Sequence, residues 1–313
     1  MQLIRGLQNI PHFAQGTVAT IGNFDGLHQG HQSIIRHVIA EAQHTPKRAS
    51  VVISFEPTPK EYFMLTQAPA RIYTLREKLE LVRQLGPDYF VMLRFNQTLA
   101  SLNAQVFVRD LLHRSLNIKR LYVGDDFKFG HNRQGDIDLL HRMGSELDFT
   151  VTDTETVYQG TERVSSTLIR KLLALGLFDQ AAELLTRPFT IAGKVFHGDK
   201  KGRTIGFPTA NILLKRRSLP ITGVFAVSVS CAEKHWQGIA NIGHRPTVSG
   251  TRDQCEVHLF DCDEDLYGQR LTVCPHTKIR DEIKFSGLDS LKQQINIDVE
   301  KTKHYFSKGH FSQ

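Results

Sequence analysis

The chain has 313 residues, 40% of them hydrophobic and 23% charged, with a formal charge of +7. That length favours two domains, each burying its own core, and the composition excludes a disordered, fibrous or disulfide-scaffold protein. Its basic residues are dispersed rather than clustered, which suits anionic small molecules better than nucleic acid, and no apolar run nears the roughly 20 residues of a membrane span.

The N-terminal segment MQLIRGLQNIPHF lacks the apolar core of a signal peptide. The cysteines, Cys231, Cys255, Cys262 and Cys274, form no C-x-x-C pair, so reduced and mostly buried thiols in a cytoplasmic protein are expected. Any self-association is expected to be weak. From residue 17 to about 150, TVATIG, VVISF, YFVML and RLYVG have the continuous apolar character of buried parallel strands. Between them Ile34, Ile35, Val38, Ile39 and Ala42 recur at helical spacing, as do Leu75, Leu79, Val82 and Leu85. Asn103 is placed to cap a helix through Leu111 and Leu112, and Ser165 or Ser166 to cap a later one. This rhythm predicts a doubly wound α/β sheet, whose ligands bind beyond the carboxyl ends of its strands.

The texture changes at Arg187-Pro188, giving predicted domains of 1–186 and 187–313. Beyond it FTIAGKVF, GVFAVSVS, QGIANIG, CEVHLF and LTVCP are strand-like pieces between turns, which predicts a small all-β barrel. A terminal helix carries Leu288, Leu291, Ile295 and Val299 on one face.

Two segments suit phosphate chemistry. IGNFDGLHQGHQSII places Gly22, Asn23, Phe24, Asp25, Gly26, His28, Gly30 and His31 between the first strand and the first helix. Glycines there permit close backbone approach, the helix start offers N–H groups to an anion, and His28 and His31 add hydrogen-bond donors. A two-histidine metal site and a purely structural turn are the competing readings. In HGDKKGRTIGFPTANI, Gly198, Gly202 and Gly206 with Lys200, Lys201 and Arg203 have the makings of a cationic phosphate flap. Pro208 stiffens the chain before Thr209 and Asn211, whose oxygens suit Mg²⁺ shared with a nucleotide.

The longer signature G-N-F-D-G-x-H-x-G-H resembles the HIGH-type nucleotidyltransferases, and specifically the N-terminal module of the bacterial bifunctional riboflavin kinase/FAD synthetases. VGDDFKFG and RVSSTLIR stand where that family has them; the resemblance assigns Asp126 and Phe127 to flavin and Arg163, Ser166, Thr167 and Arg170 to ATP phosphates. The competing reading of RVSST is a helix cap with solvated arginines. GRTIGFPTAN resembles the PTAN motif of riboflavin kinases, whose domain is a six-stranded antiparallel barrel, and Glu256 in EVHLF stands at that family's catalytic-base position. His244, Arg245 and Thr247 in the HRPT turn are candidates to border the active site, with a plain turn the competing reading, and Arg280 and Glu282 before the terminal helix are candidates for the flavin side.

The family therefore implies ATP, riboflavin and FMN as substrates and Mg²⁺ as cofactor: riboflavin is phosphorylated by the C-terminal part and FMN adenylylated by the N-terminal part. One position departs from the pattern. Many members carry a histidine in the E-P-x-P loop, where this chain has Thr58.

Overall fold

The computed structural model describes residues 1–44, 47–197, 206–214, 216, 218–247 and 250–309, excluding the side chains of 244–247 and 250–252. It forms two compact units, Met1–Pro69 with Leu75–Ser166, and Ala70–Thr74 with Thr167–Gln313.

The first unit is a six-stranded parallel sheet in the order β1-β4-β3-β2-β5-β6. These strands are β1 (Gln2–Arg5), β2 (Thr17–Ile21), β3 (Ala49–Glu56), β4 (Tyr89–Arg94), β5 (Ile118–Gly124) and β6 (Thr150–Thr154). Every residue of β2 is buried, because helices cover both faces of the sheet. On one face Ala19, Ile21, Val51, Ile53, Val91 and Leu121 share a core with Phe107, Leu111 and Leu140. On the other, Val52 and Phe90 pack with Ile35 of α1 (Gln29–Ala42) and Val82.

Helix α2 (Pro59–Met64) follows β3, and α3 (Leu75–Leu85) carries Val82. After a short α4 (Gln97–Ala100), α5 (Ala104–Val106) is capped by Asn103 Oδ1, which accepts from Gln105 N at 2.8 Å. It continues as a π-helical stretch, Phe107–Ser115, followed by α6 (Ile137–Leu147) and the hairpin β7 (Tyr158–Gln159) and β8 (Glu162–Arg163). Chain order runs outward from β2 through β3 to β4, then returns to β5 on the other side. The loops leaving β2 and β5 thus diverge, which opens a crevice at the carboxyl end of the sheet.

In the second unit β9 (Ile191–Phe196), β10 (Ala210–Leu213), β11 (Gly223–Cys231), β12 (Lys234–Thr247), β13 (Gly250–Leu259) and β14 (Arg270–Arg280) close an antiparallel barrel in the order β10-β13-β12-β11-β14-β9. Gly193 and Gly238 sit where strands press together: an added Cβ would meet Ile212 Cγ2 at 2.4 Å and the His258 carbonyl at 2.5 Å. Helices α7 (Ser166–Ala174) and α8 (Phe178–Leu185) precede the barrel, and the Phe178 ring meets Phe225 edge-on at 5.8 Å. Arg187 stacks over the Tyr73 ring at 5.1 Å, and Arg216 donates to the Arg71 and Ile72 carbonyls, which ties 70–74 to this unit. The terminal helix α9 (Leu288–Ser307) carries the expected apolar face.

Two expectations need correction. His244, Arg245 and Thr247 belong to the strand β12 by backbone, not to a turn. Of the four thiols only Cys255 is fully buried; Cys231, Cys262 and Cys274 are half-buried.

Candidate active sites

The loop from β2 to α1 is held in an unusual backbone shape. Phe24 and Leu27 have φ of 49° and 44°, beside Gly26 at 81°. The left-handed region costs a residue with a side chain about 1–2 kcal/mol. Both side chains are buried in the core beneath the loop, a gain of about 1.5–3 kcal/mol each, so burial outweighs the strain. Phe24 consequently offers a ligand its backbone and not its ring.

His28 caps α1. Its Nδ1 accepts from His31 N at 3.4 Å, which requires the proton on Nε2. The two imidazoles stack at 3.6 Å between centroids, and Gly30 makes room, since a Cβ there would meet His28 Nδ1 at 3.3 Å. Burial, then the neighbouring His28 and Lys78, push the His31 pKa well below its usual value, so His31 is neutral at neutral pH. Its Nδ1 is enclosed without a partner among the described residues. No three His, Cys, Asp or Glu side chains gather into a metal site among those residues either.

Around the loop, Lys78 Nζ donates to the Asn23 carbonyl at 2.9 Å, and Ser166 Oγ to the Asp25 carbonyl at 2.8 Å. Arg163 is ion-paired with Asp125 at 3.0 Å and Asp126 at 3.3 Å. Phe127 stacks on Phe129, with centroids 5.5 Å apart. Thr167 is exposed on the first turn of α7, whereas Arg170 Nε donates to the Ala70 carbonyl at 2.6 Å. Thr58 forms a capping box on α2: its Oγ1 accepts from Glu61 N at 3.4 Å while its N donates to Glu61 Oε2 at 2.9 Å. A threonine in this loop therefore has a local structural role.

The second site is a cavity of about 300 Å³ between the outer face of the barrel and α9. Alternation along β13 turns Cys255, Val257 and Leu259 inward, so Glu256 and His258 face the cavity. Register places Asn211 of β10 and Asn241 of β12 directly opposite Glu256 on either side. The Glu256 carboxylate accepts from Gln254 Nε2, whose amide also reaches Asn211 Oδ1 at 3.4 Å. His258 Nδ1 donates to the Pro208 carbonyl at 2.8 Å, and its ring stands edge-on to Phe207 and Phe260.

Thr209, Arg280 and Glu282 also line the cavity, and Leu288, Leu291 and Ile295 of α9 form its apolar wall. Arg280 Nε donates to Asp298 Oδ2 at 2.7 Å, with Asp298 only 1% exposed. Sequence patterns gave no sign of Lys78, Asn241, Gln254 or Asp298. Gly206 and Pro208 lie just before β10, whereas Gly198, Lys200, Gly202 and Arg203 lie outside the described residues.

An α/β unit with an HxGH loop followed by a closed barrel with a PTAN segment and a half-buried glutamate facing a cavity defines a flavin nucleotide-forming transferase. The comparisons agree: residues 10–168 match the FAD synthetase family and 185–306 the riboflavin kinase family. The chain is 47% identical over 308 residues to the bifunctional riboflavin kinase/FMN adenylyltransferase of Escherichia coli K12, covering 98% of each chain. It is 48% identical over 300 residues to that of Pseudomonas fluorescens, covering 96% of each. A crystal structure described as a macrolide-efflux protein from Streptococcus pneumoniae superposes over 100% of both chains, with a TM-score of 0.79 and 28% identity. No helix among the described residues is long and apolar enough to cross a membrane. The chain belongs to the bifunctional riboflavin kinase/FMN adenylyltransferase family.

Proposed function

We propose that the barrel pocket transfers the γ-phosphoryl group of ATP to the ribityl 5′-hydroxyl of riboflavin, and that the β2–α1 loop directs adenylyl transfer from a second ATP to FMN, dividing the activities near residue 186. In the barrel, the Glu256 carboxylate accepts the hydroxyl proton as the oxygen attacks the γ-phosphorus and the bond to ADP breaks. Its hydrogen bond from Gln254 and its flanking asparagines orient it for that task.

Thr209 and Asn211 supply a hydroxyl and an amide oxygen beside Glu256, a hard oxygen set that fits Mg²⁺ completed by nucleotide oxygens and water. When bound, the ion neutralises developing charge on the phosphates. Glycine-flap residues Gly198, Lys200, Gly202, Arg203 and Gly206, with Pro208, are assigned to ATP on the family resemblance.

In the first unit an FMN phosphate oxygen attacks the α-phosphorus and pyrophosphate leaves. The nucleophile is already anionic, so positioning and charge stabilisation suffice. Gly22, Asn23, Phe24, Asp25 and Gly30 contribute backbone to the anion cradle, His28 and His31 contribute neutral imidazoles, and Ser166 holds the loop. Arg163, Thr167 and Arg170 are assigned to ATP phosphates and Asp126 and Phe127 to the flavin; for Arg163 this means exchanging its two carboxylate partners for phosphate. ATP dependence and reduced thiols favour a cytoplasmic location.

The observation that carries this function is the gathering of Glu256, Asn241 and Thr209 in one cavity of about 300 Å³ walled by apolar residues of α9, with Asn211 flanking Glu256 in the barrel wall. A time course from riboflavin, ATP and Mg²⁺, with FMN and FAD followed as separate peaks, should show FMN rising first and FAD after it. Unchanged turnover after exhaustive chelation would remove Mg²⁺ from the scheme; no FAD from added FMN would remove adenylyl transfer.

A further inference from the structure

A lysine is almost never fully buried without specific partners, because desolvating its ammonium is costly. Lys78 on α3 is 3% exposed. Its ammonium reaches under the phosphate loop, 2.9 Å from the Asn23 carbonyl and 3.5 Å from Ser54 Oγ, and Ser54 Oγ approaches the same carbonyl at 3.4 Å. Two side chains from different elements therefore hold one peptide group of the loop.

That peptide unit is planar and trans, so a carbonyl drawn toward Lys78 turns the attached Phe24 N–H the opposite way. The Phe24 N–H has no acceptor among the described residues, although nearly all buried backbone donors in proteins are paired. A donor left without a protein acceptor beside the start of α1, in a loop shaped by positive φ at Phe24 and Leu27, is what an incoming phosphate oxygen requires.

We propose that Lys78 is a positioning residue for adenylyl transfer: anchored to the Asn23 carbonyl, it turns the Phe24 amide toward the nucleotide phosphates and keeps a fixed positive charge beneath their cradle. The inference rests on the β2–α1 loop being the adenylyl-transfer site. It gives Lys78 a role through the loop rather than through contact with substrate.

The test uses the full chain as Lys78→Met and Lys78→Arg, with kcat and KM for ATP measured separately for FMN-to-FAD and riboflavin-to-FMN conversion. A hydrogen bond to a charged group corresponds to about tenfold or more in rate or affinity. Lys78→Met should therefore lose about tenfold or more in kcat/KM for FAD formation, chiefly through KM for ATP, with FMN formation unchanged. Lys78→Arg should recover to within about threefold of the parent, since it keeps the charge and a donor.

FAD formation by Lys78→Met within twofold of the parent overturns the proposal, as does an equal loss in both variants with cooperative unfolding preserved. If Lys78→Met unfolds the first unit, Lys78→Arg decides: near-parental KM for ATP supports the proposal and a raised KM overturns it. A parent enzyme that makes no FAD from FMN would instead defeat the adenylyl-transfer reading itself.

Discussion

The two proposed phosphate sites are built from different kinds of chain. In the α/β unit the cradle is local: ten consecutive residues, Gly22 to His31, supply a strained loop, a helix start and two stacked imidazoles. In the barrel the described pocket is assembled from the segment before β10, from β11, β12, β13 and β14, and from α9, with Glu256 set between Asn211 and Asn241 by strand register. Backbone donors suffice where the nucleophile is an anionic phosphate. A neutral hydroxyl needs a carboxylate, and a carboxylate must be oriented by side chains from its neighbours.

The largest effect is expected from Glu256→Gln. General-base loss costs about 10²–10⁴ in rate, so FMN formation should fall by about a thousandfold while conversion of added FMN to FAD continues at the parental rate. Loss of both activities in a folded variant would mean that the sites do not divide the chemistry. His28→Ala is the converse and should be milder, because it removes a helix cap and one neutral donor from a cradle that keeps its backbone amides. FAD formation should fall by about 10–100-fold, with FMN formation from riboflavin unchanged. A His28→Ala enzyme making FAD at the parental rate would leave the loop without its assigned task.

The residues proposed for the first site fall in one sequence segment, whereas those proposed for the barrel site are scattered, and only part of that set, Thr209, Asn211, Glu256, Arg280 and Glu282, stands out in the sequence. Glycines, histidines and a strand-to-helix transition in one short segment suggest an anion loop without knowledge of the fold. A lysine on an amphipathic helix reads as solvated, whereas Lys78 is 3% exposed and bonded to the Asn23 carbonyl. Asn241 and Gln254 carry no motif, since their value comes from register with Glu256. The strands β1 and β6 were missed because edge strands are short and partly exposed, unlike the continuous apolar runs of β2 and β3. β10 was hidden inside the motif that precedes it. That 70–74 joins the barrel unit depends on Arg187 and Arg216 reaching residues more than a hundred positions earlier, which local patterns do not encode.

A smaller effect sharpens the view that the barrel pocket is held together over long sequence distances. Arg280 of β14 and Asp298 of α9 form an ion pair at the pocket wall, and Gln294 Nε2 donates to the second oxygen of Asp298 at 2.8 Å. Asp298→Asn leaves the Arg280 charge poorly compensated. Allowing for the partial exposure of Arg280, this should destabilise the barrel unit by about 2–3 kcal/mol and weaken riboflavin binding, with FAD formation from FMN unaffected. Denaturant unfolding together with a riboflavin titration checks both effects; unchanged stability would show that α9 is held by its apolar face alone.

The smallest effect concerns acid, and it bears on both units. Burial lowers the pKa of His276 in the barrel to about 4, against a partial opposing pull from Asp179, and burial likewise pushes His31 well down in the first unit. His276 faces Ser228, whose Oγ lies 2.8 Å from its Nε2, and the ring of Phe306; Cys274, its thiol pushed up to about 11 by burial, stays protonated nearby. Below about pH 6.5 the unfolded histidines bind protons that the folded ones refuse, so unfolding takes up protons and stability falls with falling pH. For His276 the contribution is fully present above about 6.5 and is lost as pH falls toward about 4. Unfolding midpoints measured at about pH 5 and about pH 7.5 should therefore be lower in acid for both units. His276→Gln should narrow that gap for the barrel and leave it unchanged for the first unit; a gap equally wide in the variant would show that His276 does not carry the barrel's acid sensitivity.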